Sequence, residues 1–280
     1  MRDARPTGTL RKKNRIQLSF FQRSCQMKML LTNDDGIHAV GLRAIYAALT
    51  EAGHTVHVVA PMTEQSAVGH SLTVFQPLRV KESRETGFEG LGVHGTPTDC
   101  VKLALSQLLP EPPDMVISGI NAGPNVGPDI LYSGTVAAAT EAAHSGFPAM
   151  AVSYDGFRPA DLSEQARHAA ALAPRLAWKR LPPRCVINVN YPDRPMANTR
   201  PLRICPQTTA VWKDDYDERL DPRGSRYWWL TGVIPPEQVN AASDRALLSK
   251  GHITMTPLRF DFTDRESLAT LEDMNLASLQ

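Results

Sequence analysis

The stretch that decides the fold is Lys28–Gly36, which reads KMLLTNDDG. Its mainly apolar first part, Lys28–Thr32, is typical of a short buried strand, and the polar run Asn33–Gly36 follows directly as a loop. Beyond it, short apolar runs alternate with amphipathic segments, which is the pattern of βαβ units around a mostly parallel sheet. We therefore predict an α/β fold whose first strand ends in a pair of aspartates.

The same alternation predicts the other core elements. Strands are expected at Thr55–Ala60, Met115–Ser118, Ala149–Ser153 and Cys185–Asn190, the last clear core strand, and Leu72–Val80 is extended and β-rich. Helices are expected at Gly41–Ala52, from Thr96 to Leu108, at Thr135–Ser145 and at Leu162–Trp178. The second helix should begin with a capping box, in which Thr96 is the N-cap and Asp99 lies three residues further on.

The character of the chain changes after about residue 200, where prolines and aromatic residues become frequent and the alternation stops. One interpretation of this segment, at about residues 205–255, is a hairpin arm that reaches onto a neighbouring subunit. The alternative is an irregular cap on the same domain. In either case residues 27–280 should form one domain, because a chain of 280 residues can bury one substantial core.

Composition excludes several classes of protein. Hydrophobic residues make up 42% and charged residues 21% of the chain, as in globular enzymes. No run of about 18 apolar residues is present, so a membrane span is not expected. The cysteines are too far apart for a zinc knuckle or a disulfide framework, and they favour a reducing, cytoplasmic location; they are Cys25, Cys100, Cys185 and Cys205.

Charge is distributed unevenly along the chain. Residues 1–26 carry seven basic side chains and one acid, which leaves a net charge of −5 on residues 27–280 although the whole chain carries +1. An acidic body does not favour nucleic-acid binding, since affinity for the phosphate backbone comes mainly from lysine and arginine. Residues 1–26 are basic and poor in acids like a transit peptide, but we interpret them as a disordered extension, for which an upstream start codon is one possible origin.

Paired carboxylates directly after the first strand are the first indication of chemistry. Ligands of open parallel sheets bind beyond the carboxyl ends of the strands, and Asp34 and Asp35 would repel a phosphate there unless a cation lay between. A hard divalent ion held by oxygen atoms would meet that requirement. An isolated Asn-Asp-Asp-Gly run would more commonly make only a turn, so the pair needs support from elsewhere in the chain.

Two further loops supply that support. The strand ending at Ser118 continues into the glycine-rich run Gly119–Gly127, which brings Asn121 and Asn125 to the same edge of the sheet. It leads to Ser133-Gly134-Thr135 at the start of a helix, where free amides and the helix dipole suit a phosphate. The polar loop at residues 60–71 could supply further contacts to the metal ion or the phosphate. Together these loops favour a phosphate-plus-metal site over three unrelated turns.

The blocks that carry these loops closely resemble the SurE family of survival-protein phosphatases, which act as 5′- and 3′-nucleotidases. They are Leu31–Ile37, Val59–Pro61 with Gln65-Ser66 and Gly69–Ser71, Gly95–Lys102, and Ser118–Asn121 through Ser133–Thr135, and they occur in the family's order. The resemblance implies a Rossmann-like, three-layer core and homodimers or homotetramers built by exchange of a C-terminal hairpin. The likeness weakens at Ser243–Ala246 and Gly251–Thr254.

The resemblance also implies the site. It places a single Mn²⁺ or Mg²⁺ ion on Asp34, Asp35, Ser66 and Asn121, with Ser133, Gly134 and Thr135 facing the phosphate. We expect Asn125 to contact the phosphate as well, and one of the two aspartates to take a proton from the attacking water. The predicted reaction is hydrolysis of a nucleoside monophosphate to nucleoside and phosphate.

Other functions are compatible with some of the same residues. A non-catalytic nucleotide sensor would use the same cradle, and a phosphatase that prefers short polyphosphate would use the same ion. An aspartyl-phosphate intermediate is an alternative route, which we rank below direct hydrolysis because both carboxylates are needed for the metal. A nicotinamide-dependent enzyme is not supported, since Asn33–Gly36 stands where a G-x-G-x-x-G run should follow the first strand.

Overall fold

A computed structural model describes residues 26–274 and residue 276. The interpretations of residues 1–26 therefore lie outside the described part of the chain, except for Gln26. Among the described residues, no helix is long and apolar enough to cross a membrane.

The strands and helices follow one another in a βα order over most of the chain. The strands are β1 (Lys28–Thr32), β2 (Thr55–Pro61), β3 (Val80–Glu85), β4 (Phe88–Val93), β5 (Met115–Ala122), β6 (Ala149–Tyr154), β7 (Cys185–Tyr191), β8 (Arg200–Ile204), β9 (Lys213–Leu220), β10 (Arg226–Val233) and β11 (His252–Arg259). The helices are α1 (Val40–Glu51), α2 (Pro97–Leu103), α3 (Gly134–His144), α4 (Ser163–Leu172), α5 (Asp244–Ser249) and α6 (Arg265–Asp273).

Nine of these strands form one sheet in the order β3-β4-β2-β1-β5-β6-β7-β11-β8. The six strands from β4 to β7 in that order are parallel, whereas β3 pairs antiparallel with β4, and β11 pairs antiparallel with β7. Strand β1 lies near the middle, with β2 and β5 as its neighbours. The carboxyl end of β1 is thus flanked by the loops that follow β2 and β5.

Helices cover both faces of the sheet, because the central strands are apolar on both sides. Along β1 the side chains alternate: Met29 and Leu31 belong to one buried apolar cluster, and Leu30 belongs to the other. The first cluster packs under α1 and α4, which contact each other, and the second packs under α2 and α3. This confirms the predicted three-layer α/β core with a mostly parallel sheet.

Several predicted elements agree closely with the structure. Strand β1 has the predicted bounds, and the capping box of α2 is present, with Thr96 accepting a hydrogen bond from the Asp99 amide and Asp99 accepting one from the Thr96 amide. The second helix continues beyond Leu103 as a π-helical turn, Ala104–Leu108. Its end before the prolines at 110, 112 and 113 agrees with the sequence.

Other predictions were wrong in their bounds, for local reasons. The helix predicted over Leu162–Trp178 ends at Leu172, because Pro174 lacks the N–H that would continue it, and short 3₁₀ turns follow. The segment Leu72–Val80 contains no strand before Val80. The β3–β4 hairpin was missed because β3 is a charged, largely exposed edge strand without an apolar run.

The prediction that Cys185–Asn190 is the last core strand was also wrong. Strand β11 returns to the main sheet and pairs with β7 from Arg259 back to Thr254, and β8 lies beyond it at the edge. The hairpin of β9 and β10 is therefore shorter than the segment 205–255. These two strands pair only with each other among the described residues.

Candidate functional site

The two aspartates lie at the carboxyl end of β1 in a tight loop. The Asn33 side-chain amide donates to the Gly36 carbonyl at 2.9 Å, and Gly36 has a φ of +96°, which favours glycine. The Ile37 amide then donates to the Pro61 carbonyl at the end of β2. Asp34 is buried and Asp35 is partly exposed, so the loop directs one carboxylate inward and leaves the other accessible.

The amino end of α3 packs directly on Asp34. The Thr135 hydroxyl donates to Asp34 Oδ1. A Cβ added at Gly134 would lie 2.8 Å from Asp34 Cβ, so only glycine fits here. Ser133 is the N-cap, and its Oγ accepts the Val136 amide at 3.0 Å. The predicted phosphate turn and the first aspartate therefore form one unit.

The glycine-rich loop after β5 holds the second aspartate. The Ala122 amide donates to Asp35 Oδ2 at 2.9 Å, and the neighbouring Asn121 donates through its side-chain nitrogen to the Gly123 carbonyl at 2.8 Å. The pairing of β5 with β6 shifts between Ser118 and Asn121. Gly119 makes the shift sterically feasible, because its φ is +136° and a side chain would overlap the Val152 carbonyl.

The loop after β2 forms the third side of the site around the two aspartates. The Gln65 amide donates to the backbone carbonyl of Asp34 at 2.8 Å, which places the adjacent Ser66 beside the aspartates. The Ser66 hydroxyl donates to Glu64 at 2.6 Å. Asp35, Glu64, Ser66 and Ala122 all line one cleft of about 400 Å³. The three loops that carry the predicted ligands are thus joined by direct hydrogen bonds.

The electrostatics of this cluster favour a cation. Burial raises the pKa of Asp34, and burial together with the charges of Asp34 and Glu64 raises the pKa of Asp35 to about 7. Like charges in a partly dry site disfavour ionisation, and a divalent ion would offset that repulsion. The side-chain oxygen of Asn33 is in addition buried without a hydrogen-bond partner.

The donor set fits a hard divalent ion and not a soft one. Asp34, Asp35, Ser66 and Asn121 offer carboxylate, hydroxyl and amide oxygens, which suit Mg²⁺ or Mn²⁺. No group of three or more His, Cys, Asp or Glu side chains suited to a metal occurs within residues 26–274. A site here thus depends on the serine and the asparagine as well as on the two aspartates.

The nearby histidines lie outside this cluster. His38 Nδ1 is 3.3 Å from Glu85, and His70 Nε2 is 2.9 Å from Glu141, which also binds Lys102. His70 thereby ties the loop after β2 to α3. These contacts give both histidines supporting positions at the periphery.

Asn125 is placed differently from the other predicted phosphate contacts. It is buried, and its side-chain nitrogen donates to Ser153 Oγ at 2.8 Å. Its backbone amide donates to Asn190 at 2.8 Å, and its carbonyl accepts from Asn188. In this structure Asn125 anchors the glycine-rich loop to β6 and β7.

Two functional candidates were missed from the sequence. Glu64 belongs to the cleft, but a single acid in a polar loop carries no distinguishing signal. Asp244 is buried and accepts the Gly127 amide and the Thr208 amide, each at 2.8 Å. It thus joins the glycine-rich loop to the segment before the hairpin, and its only sequence signal was its place in the weakly matching block Ser243–Ala246.

Comparisons with known proteins agree with this arrangement. The family model described as "Survival protein SurE" matches residues 29–214. The chain is 69% identical over 245 residues to the 5′-nucleotidase SurE of Nitratidesulfovibrio vulgaris (strain DSM 19637 / Miyazaki F), which covers 88% of this chain and 91% of that protein. It is 46% identical over 251 residues to the 5′-nucleotidase SurE of Syntrophobacter fumaroxidans, covering 89% and 100%.

A solved structure supports the same assignment. The crystal structure of the SurE protein from Aquifex aeolicus superimposes with a TM-score of 0.76 at 32% sequence identity, over 88% of this chain and 99% of that one. The match therefore extends well past the site into the C-terminal segments. On the family model, the sequence identities and the shared fold, this chain belongs to the SurE family.

Proposed function

We propose that this chain is a divalent-metal-dependent phosphatase that hydrolyses nucleoside 5′-monophosphates, and 3′-monophosphates as well, to nucleoside and phosphate. One observation carries the proposal: hydrogen bonds from Gln65 and Ala122 hold the loops of Ser66 and Asn121 against Asp34 and Asp35. The relatives named 5′-nucleotidase SurE indicate the substrate class.

The metal would be one Mn²⁺ or Mg²⁺ ion held by Asp34, Asp35, Ser66 and Asn121. When bound, such an ion polarises a phosphoryl oxygen and makes hydroxide available near neutral pH. Glu64 supports this shell, since its carboxylate accepts from the Ser66 hydroxyl and so orients the serine oxygen.

The remaining residues bind and orient the phosphate. The amino end of α3, at Ser133, Gly134 and Thr135, presents the positive end of a helix dipole, and Gly134 and Thr135 would supply backbone N–H groups. Such preorganised donors stabilise negative charge as it develops on the phosphoryl oxygens. Asn125 supports them indirectly, because its hydrogen bonds to β6 and β7 hold the glycine-rich loop in place.

Phosphate release from AMP tests the proposal. We expect turnover with added Mn²⁺, loss of turnover with EDTA, and a fall of at least a hundredfold in kcat for Asp34→Asn and Asp35→Asn. Asp114→Asn is the matched control, because Asp114 accepts the Lys28 amide at the opposite end of β1. Tight AMP binding without phosphate release would instead favour a nucleotide sensor, and equal losses in all three variants would point to misfolding.

We further propose that the chain forms homodimers or homotetramers by exchanging the β9–β10 hairpin. Support comes from exposure: Tyr216, Trp228, Trp229 and Leu230 are all solvent-accessible, and an isolated two-stranded hairpin is marginal in water. Light scattering after gel filtration should give a multiple of 30.8 kDa. A monomeric mass, or an unchanged multimer after deletion of residues 213–233, would contradict exchange.

For its location we propose the cytoplasm. Cys100, Cys185 and Cys205 are free thiols, and burial raises the pKa of each. Unpaired cysteines are typical of reducing compartments. Fractionation of cells that express the tagged chain is the corresponding test, and recovery with periplasmic markers would refute it.

A further inference from the structure

A loop that the proposed chemistry does not use lies beside the site. It follows β6, the strand next to β5, and it is fixed at its start by three contacts. The Gly123 amide donates to the Tyr154 carbonyl at 2.9 Å, the Asp155 amide donates to the Tyr191 carbonyl at 2.8 Å, and the Tyr154 hydroxyl donates to Asp193 at 2.6 Å. The residues that follow are therefore presented from a rigid base.

Phe157 extends from this base across the glycine-rich loop. A Cβ added at Gly123 would lie 2.9 Å from Phe157 Cε1, so the ring rests on the bare backbone of Gly123. Even so, 77% of the Phe157 surface is exposed. Its open face is available to a ligand, and large aromatic side chains are enriched among the residues that contribute most to binding.

The exposed part of Phe157 faces the same space as the predicted metal ligands. Asp35 and Ser66 line the cleft of about 400 Å³ together with Phe157, and Val40 and Pro159 add further apolar surface. That volume lies within the range of about 300–1,000 Å³ common for small-molecule sites. The cleft thus combines carboxylate and hydroxyl oxygens with the apolar, aromatic surface of Phe157, and Arg158 adds a positive charge to its lining.

We infer that Phe157 is a specificity-determining residue on which the base of the nucleotide stacks while the phosphate lies at Asp35 and Ser66. The inference rests on the proposed nucleotidase function and adds to it the residue that distinguishes nucleotides from other phosphate esters. Every base has a π-face, so an aromatic platform accepts purines and pyrimidines alike. It makes no hydrogen bond that would discriminate among them.

The test compares AMP with ribose 5-phosphate, which has the same phosphate ester but no base. For Phe157→Ala we expect kcat/KM on AMP to fall about tenfold, with the loss mainly in KM, since stacking on an aromatic side chain contributes a factor of roughly 5 to 150. Activity on ribose 5-phosphate should change less than twofold. Phe157→Tyr should retain activity on AMP. Phe262→Ala is the matched control, because Phe262 is 79% exposed and does not line the cleft.

Each outcome decides the matter. Equal losses of kcat/KM on both substrates would show that Phe157 only supports the loop. An unchanged kcat/KM on AMP would show that the base binds elsewhere. Either result overturns the inference. If the wild type hydrolyses neither substrate, the proposed function fails, and calorimetric binding of adenosine to the wild type and to Phe157→Ala then tests the platform alone. Equal adenosine affinity for the two proteins would refute it.

Discussion

Gly134→Ala is the substitution for which the structure and simple helix propensity predict opposite effects on the free energy of unfolding. Gly134 is the first residue of α3, and alanine is favoured over glycine by at most the about 0.5–1 kcal/mol that applies inside a helix. Here the new Cβ would lie 2.8 Å from Asp34 Cβ, 2.9 Å from Asp34 Oδ2 and 3.0 Å from Pro97 Cγ. Asp34 Cβ is attached to the backbone, so the overlap cannot be relieved by rotation of a side-chain end.

Overpacking of this kind costs about 1–3 kcal/mol, and subtracting a helix-propensity gain of about 0.5–1 kcal/mol leaves a net destabilisation of up to about 2.5 kcal/mol, centred near 1 kcal/mol. We therefore expect the melting temperature to fall by about 2–6 °C in a calorimetric scan. The kcat/KM on AMP should fall at least tenfold, because the methyl group displaces Asp34 from the amino end of α3 and small displacements of positioned groups are costly.

The control variant Gly146→Ala separates the overlap with Asp34 from the effect of backbone strain. Gly146 follows α3 with a φ of +91°, and an added Cβ meets no atom within 4 Å, so this variant should lose some stability and keep its activity. If Gly134→Ala melts at or above the wild-type temperature and keeps kcat/KM within twofold, the close packing of α3 on Asp34 is wrong.

Buried carboxylates at two other positions also stabilise the domain. Asp244→Ala removes the acceptor of the Gly127 and Thr208 amides; it should cost about 2–4 kcal/mol in urea unfolding and lower kcat/KM, and a cost below about 0.5 kcal/mol would contradict the role of Asp244. Burial alone would raise the pKa of Asp99, but hydrogen bonds from two threonines outweigh burial and hold that pKa below its ordinary value. The ionised carboxylate therefore stabilises the folded state above about pH 4, and this stabilisation is lost as the pH falls through the folded-state pKa. Asp99→Asn should accordingly be less stable than wild type at pH 7, and the difference should shrink as the pH falls below about 4; a pH-independent difference would contradict this. Finally, Mn²⁺ should raise the melting temperature of the wild type and not that of Asp35→Asn; an equal rise in both would place the ion elsewhere.

Local sequence patterns were sufficient to predict much of the core. The apolar run of β1 and the capping box at Thr96 depend on residues close together in the chain, and both were predicted with the observed residues. The Asn-Asp-Asp-Gly loop and the glycine-rich loop could be assigned to the same sheet edge because parallel strands present their carboxyl ends together. Recognition of the family blocks then indicated which oxygen atoms in these loops to consider.

The tertiary structure alone decided how these pieces meet. Thr135 donates to Asp34 across 101 residues of sequence, and the Gly127 amide donates to Asp244 across 117. Neither pair has a local signature, because a hydrogen bond between distant segments depends on strand order, on register and on helix placement at once. The antiparallel return of β11 and the open Phe157 ring beside Asp35 likewise follow from packing of the whole domain. Short-range patterns in the sequence determine the strands and loops, whereas the burial of shared surface between distant segments determines which side chains become neighbours.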